Sequence, residues 1–138
     1  MRTIAMKYLL MMQFPLKDWK TSRIDLWPSE DIKAHMAFLT RFNQELIDAG
    51  EFIRTEGLAG PEKFKVVRAK PDGSRAVTDG PFAESKEVLA GYWAIDVETE
   101  ERALTLAARA SAAPGPGGRP LNMAIEVHPV MFTKGDDV

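Results

Sequence analysis

The sequence predicts an α+β fold in which two helices lie on a sheet whose strands come from both halves of the chain. Three observations carry that expectation. Tyr8 to Met12 is an apolar run of strand length. Ile32, Met36, Leu39, Phe42, Leu46 and Ala49 recur at spacings of three and four residues, as one face of a helix requires. Val88 to Val97 is a long strand pattern rich in apolar and aromatic side chains.

Residues 6–14 are read as the first strand. Both alternating sets, Tyr8/Leu10/Met12 and Leu9/Met11, are apolar, so cover is expected on both faces. One layer of helices covers one face only, and the second face then needs another subunit or a second sheet. Residues 15–28 form a long connection. Its Trp19 and Trp27 are expected to pack, as anchors of the loop or of a dimer interface, or as the wall of a ligand pocket. Ser29, ahead of Glu30 and Asp31, reads as the N-cap of the first helix, and Gly50 supplies its C-terminal stop. His35 falls inside the apolar stripe.

A second strand is expected over Glu51 to Gly57 and a third over Lys63 to Ala69. Pro71-Asp72-Gly73-Ser74 makes a tight hairpin turn into a short fourth strand, Arg75 to Thr78. After the turn at Asp79 comes the strand Val88 to Val97. Thr99 then caps a second helix reaching about Ala112, with Ala103, Leu106, Ala107 and Ala110 facing inward. Ala113 to Pro120 is a loop, Asn122 to Val130 a last strand, and Thr133 to Val138 a tail. With the extra hairpin set aside, the order is βαββαβ, the ferredoxin-like split pattern, with the first strand central and both helices on one face.

At 138 residues, 45% hydrophobic and 28% charged, the chain has the composition of one globular domain and not of a disordered segment. A formal charge of -2 gives no electrostatic reason to expect nucleic acid or an anionic membrane as partner. The absence of cysteine excludes disulfides, thiolate metal sites, cysteine nucleophiles and ordinary iron–sulfur clusters. Two histidines without helical i, i+4 partners give metal binding little support, and no Gly-rich phosphate loop precedes a helix. No cofactor is expected. Arg2 and the run that follows could pass for a leader, but Gln13, Pro15, Lys17 and Asp18 follow without a small-residue cleavage site, so a buried strand and a cytoplasmic location are expected.

The candidate site residues cluster around one turn and one strand. Asp79, held before Gly80-Pro81, could be a general base if its surroundings raise its pKa; it could equally build the turn by accepting backbone hydrogen bonds. His35, facing the sheet, is a core histidine or an acid–base partner. Lys86 could bind a carboxylate or phosphate, although the mixed run Glu84, Lys86, Glu87 also fits a solvated turn. Tyr92 shares a strand face with Ala90, Ala94 and Asp96 and could offer a phenol to a ligand. His128 shares a face with Glu126, close enough for both to serve one ligand. Arg54 and Glu56 are expected to form a surface or interface pair.

Several segments together are similar to one family. They are Met6-Lys7-Tyr8-Leu9-Leu10-Met11, Ala49-Gly50, the run from Thr78-Asp79-Gly80-Pro81-Phe82 to Glu87, Gly91-Tyr92-Trp93-Ala94-Ile95-Asp96, and Ile125-Glu126-Val127-His128-Pro129-Val130. On these residues the chain resembles the DGPF proteins, a branch of the YCII-related group, over nearly its whole length. The resemblance implies a ferredoxin-like, dimeric α+β barrel and no settled activity. It implies relatives that act on small cyclic or aromatic compounds through a histidine–aspartate pair, and relatives encoded beside or fused to sigma factors. DGPF relatives generally carry arginine where this chain has His128. The register of His35 differs by about a turn from the helix histidine of some YCII relatives, so no family role passes to either.

Three functions therefore stand as expectations: a small homodimeric domain binding a small molecule in a cleft near Asp79, a cofactor-independent lyase or isomerase using Asp79 with His35, and an interaction module serving a sigma factor.

Overall fold

The structure is a computed structural model that describes residues 6–18, 23–81 and 86–135. Its main sheet has four strands in the order β2-β5-β1-β6, where β1 is Met6–Pro15, β2 Phe52–Gly57, β5 Glu87–Val97 and β6 Ile125–Pro129. All three neighbouring pairs are antiparallel. With the helices α1 (Ser29–Asp48) and α2 (Glu100–Ser111), this is the ferredoxin-like α+β arrangement expected from the sequence, and β1 is central. The inserted strands β3 (Lys65–Ala69) and β4 (Arg75–Asp79) pair only with each other, as a hairpin apart from the main sheet.

Strand alternation decides which side chains meet the helices. Tyr8 and Leu10 of β1 and Trp93, Ile95 and Val97 of β5 are buried against Phe42 and Leu46 of α1 and Ala103, Leu106, Ala107 and Ala110 of α2. Both helices thus cover one face. On the opposite face Leu9 and Met11 are half-buried, in register with Ala94 and Tyr92 on one side and His128 and Glu126 on the other.

The small side chains of α2 let it approach the sheet closely, and Thr99 caps it by accepting the Arg102 N–H at 3.1 Å. Gly50, at φ 73°, ends α1, with the Glu51 N–H donating to the Leu46 carbonyl and the Gly50 N–H to that of Ile47. Ser29 is not the cap expected of it. Pro28 holds that position and its carbonyl accepts from Asp31 and Ile32, which makes Ser29 the first helical residue. Met36 and Ala49, read as part of the buried stripe, are exposed, and Ala49 lies just past the last residue of α1.

Glu51, buried where α1 turns into β2, accepts two hydrogen bonds from the Arg102 guanidinium, at 2.9 Å each. This bidentate pair fastens the start of α2 to the α1–β2 turn and raises the Arg102 pKa. Among the described residues no helix is long and apolar enough to cross a membrane.

Candidate functional site

The hairpin geometry settles what Asp79 touches. The turn at Asp72-Gly73 pairs Ala69 with Arg75 and, four residues further out, Lys65 with Asp79. The Lys65 ammonium donates to Asp79 Oδ1 at 2.6 Å, and this bond, with the Lys65 charge, holds the carboxyl below the usual carboxylate range. A general base working near neutrality needs the opposite shift. The Asp79 side chain is 87% exposed. Gly80 follows at φ 70°, a left-handed conformation that favours glycine, and donates its N–H to the Phe64 carbonyl. Asp79 closes a hairpin here. It does not meet His35.

Lys86 is exposed just ahead of β5, and its carbonyl accepts the Leu16 N–H. Glu84 and Trp19 lie outside the described residues. Tyr92 and His128 both stand on the open face of the sheet. The Tyr92 hydroxyl donates to Glu56, which raises the phenol pKa, and the Arg54 guanidinium lies 6.0 Å from the Tyr92 ring. Arg54 also reaches Glu56 at 3.8 Å, the surface pair expected. His128 Nε2 meets Glu126 Oε1 at 2.8 Å. The open face therefore carries an apolar centre between two polar edges.

His35 sits on the other side of the sheet, in a cleft of about 470 Å³ between α1, the ends of β2 and β5, and two loops. One wall is Met36, Leu39 and Asn43 of α1. Trp27, whose backbone N–H donates to the Ile24 carbonyl to close the short turn Ile24–Leu26, forms another. Leu121 and Met123 close a third side, at the end of a loop pinned to α1 at two points: the His35 Nδ1–H donates to the Pro114 carbonyl at 2.9 Å, and the Gly117 N–H donates to Asp31 at 3.0 Å.

The floor is bare because Gly57 and Gly91 are register partners with no side chains. Gly91 could be nothing else: a Cβ there would lie 2.7 Å from the Glu56 carbonyl oxygen. A Cβ on Gly57 would meet nothing within 4 Å.

Trp27 and His35 pack against each other in the wall of this cleft. They are 8% and 9% exposed, and their rings meet edge to face with centroids 5.4 Å apart. The Trp27 indole N–H is buried with no acceptor among the described residues. His35 spends its Nδ1–H on Pro114, so in the neutral ring Nε2 is the acceptor. Two nearby polar atoms are already engaged. Asn43 Oδ1 accepts from the Trp93 indole at 2.8 Å, and the Thr55 hydroxyl donates to the Tyr92 carbonyl at 2.9 Å.

The sequence placed Trp27 among pocket-wall candidates and His35 on the inward face, but Asn43 and the pairing of Gly57 with Gly91 escaped it. Asn43 could have been found as the polar residue next to Phe42 on the buried stripe. A separate groove lined by Leu58, Phe64, Val66, Pro81 and Val88 runs beneath the hairpin, without Asp79 in its wall.

The model of the YCII-related domain matches residues 6–115, which span α1, α2, the hairpin and all of the main sheet except β6. An uncharacterized protein of Rhizobium meliloti (strain 1021), R00369, is 30% identical over 108 residues, 78% of this chain and 82% of that protein. Neither match carries an assigned activity. By the extent of the match and by its fold, the chain belongs to the family of YCII-related domains.

Proposed function

We propose that this chain is a small-molecule-binding domain whose ligand occupies the cleft beneath α1, against the Trp27 ring and with His35 as a polar contact. The site is centred on α1 and the β2–β5 floor, away from Asp79. The observation that carries the reading is the cleft itself, about 470 Å³ and walled by Trp27, Met36, Leu39 and Met123, with the buried His35 as a polar group in its wall. Ligand sites of this kind are concave, mostly apolar and carry a few placed polar groups.

Gly57→Leu tests it. The new side chain enters space that no atom occupies, so the fold should survive while the floor fills. In a thermal-shift screen of small metabolites, at least one compound should stabilise the wild type, by about 2.7 kcal/mol at a hundredfold excess over Kd, and leave Gly57→Leu unmoved. A wild type and a variant that respond alike to every compound would remove the cleft from consideration.

The same reading makes the protein a homodimer through the open face of the sheet. Leu9, Met11 and Ala94 form a half-buried apolar centre, with Arg54 and Glu56 at one edge and Glu126 and His128 at the other. An apolar centre inside a polar rim of both signs suits a two-fold, self-complementary contact. Light scattering after size exclusion should give twice the chain mass of 15.4 kDa, and Met11→Glu should halve it. A wild type eluting at the mass of one chain would sink this part.

A further inference from the structure

We infer that the outer edge of β4 pairs, across a two-fold axis, with the same edge of a second copy of this chain. The contact is separate from the cleft and from the open face of the main sheet, and it gives Asp79 a second partner. Backbone geometry and side-chain charge lead to it independently.

The backbone comes first. The bonds that join β3 to β4 fall on alternate pairs, and the ladder continues past both ends: the Lys70 N–H donates to the Ser74 carbonyl and the Gly80 N–H to the Phe64 carbonyl, each at 2.8 Å. By that alternation Ala76 and Thr78 turn their amides and carbonyls toward β3. Arg75, Val77 and Asp79 turn theirs away, and all three residues are exposed. The edges of the main sheet are blunted, since Pro129 stands in β6 and an irregular register interrupts β2 between Phe52 and Arg54. The edge of β4 has neither a proline nor a bulge.

The side chains come second. Read outward from Val77, β4 is complementary to itself. In an antiparallel pairing centred on Val77, each of Arg75, Val77 and Asp79 exchanges both its N–H···O bonds with the residue opposite, and Arg75 stands opposite Asp79 at either end. A slipped register would set Arg75 against valine, so the charges fix the alignment. The carboxylate of Asp79, whose Oδ1 accepts the Lys65 ammonium at 2.6 Å, then lies between that lysine and the arginine of the copy. Val67 and Val77, register partners that are 60% and 49% exposed, share the face of these charges, and pairing packs Val77 against its own copy. The outer edge of β3 has no such match, because there Lys65 would face Ala69. A strand that complements itself about its centre is suited to a second copy, and a contact this small is of the weak, reversible kind.

Cysteine crosslinking tests it, since the natural chain has no cysteine. In the pairing the two Val77 Cα atoms lie about 5.5 Å apart, within the range of a disulfide. The two Val67 Cα atoms lie about 14 Å apart, three strand spacings, which no disulfide spans. Val67→Cys is therefore the control for random collision, at a position more exposed than Val77. Under mild oxidation Val77→Cys should form the covalent dimer at least about tenfold faster than Val67→Cys. Arg75→Asp or Asp79→Lys, each added to Val77→Cys, sets like charges opposite one another and should lower the rate to that of the control. Mixing those two variants should restore it, with one chain of each kind in the dimer by intact mass, because acids on one edge then face bases on the other. Restoration also shows that both variants are folded.

The inference is overturned if Val67→Cys crosslinks as fast as Val77→Cys, if Arg75→Asp and Asp79→Lys leave the rate unchanged, or if the mixture yields no excess of mixed dimer. Repeating the comparison with Met11→Glu present keeps it apart from the open face of the main sheet. The preference for Val77→Cys should persist there, and its loss would assign the crosslink to the open-face dimer and overturn the inference as well.

Discussion

Phe42→Ala is expected to lower the free energy of unfolding by about 3–5 kcal/mol, a large share of the stability of a domain this size. Phe42 is 1% exposed and sits where α1 crosses the sheet. Its ring meets Trp93 edge-on at 5.5 Å and stacks on Phe38 at 5.9 Å, and the Arg109 guanidinium lies 5.2 Å from its centroid. Truncation therefore removes buried apolar area, two ring contacts and a cation–π contact together, and leaves a cavity between α1 and the sheet.

The loss reaches the cleft as well. Trp93, which Phe42 braces, donates its indole N–H to Asn43 in the cleft wall. Urea denaturation should show a lower midpoint with an unchanged slope, and Phe42→Leu, which refills most of the volume, should recover more than half of the loss. A Phe42→Ala variant within about 1 kcal/mol of the wild type would mean that this contact is not the centre of the core.

The architecture was legible because the sequence signals that carry it are local or periodic. Helical spacing in α1, alternation in β5, the Thr99 cap and the Gly50 stop each specify an element without knowledge of the rest, and the elements in order yield the sheet. The apolar character of β1 on both faces was legible too, and the structure covers one face with helices while Leu9 and Met11 remain half-buried on the other. Ser29 misled because a serine before two acidic residues looks like a cap whether or not the preceding proline takes the position.

Asp79 is the instructive case. A motif of Asp-Gly-Pro draws attention to the carboxylate, yet its partner Lys65 is fourteen residues away and faces it only through the hairpin register. That register could have been counted outward from Asp72-Gly73. The cleft could not. Its walls come from the loop before α1, from α1 itself, from the floor of two strands and from the loop after α2, and no periodicity in any one segment encodes their meeting. What the sequence did hold was Gly91, a glycine inside an apolar strand that marks a close backbone approach.

Gly91→Ala is expected to cost about 1–3 kcal/mol and to weaken ligand binding in the cleft, although it adds only one methyl group. Most strand glycines gain from alanine, because the unfolded chain loses freedom. Here the added carbon would stand 2.7 Å from the Glu56 carbonyl oxygen and 3.2 Å from the Gly57 Cα, both backbone atoms that no rotamer change can move aside.

The end of β2 has to retreat from β5. Retreat strains the Leu58 N–H to Ala90 carbonyl bond, 2.8 Å long, which continues the ladder past Gly57. It also moves Thr55, whose hydroxyl is tied to the Tyr92 carbonyl, and so shifts the floor against the α1 wall. Hydrogen exchange should locate the effect: faster exchange at Leu58 and its β2 neighbours, with the β1–β5 pairs unchanged. The contrast with Gly57→Leu makes the test specific. At position 57 the side chain fills empty space and should block ligands at little cost in stability, whereas at position 91 it strains the backbone and should lower both stability and binding. Equal stability of Gly91→Ala and the wild type would mean that β2 is not held against β5 at this point, and the cleft would then lack a fixed floor.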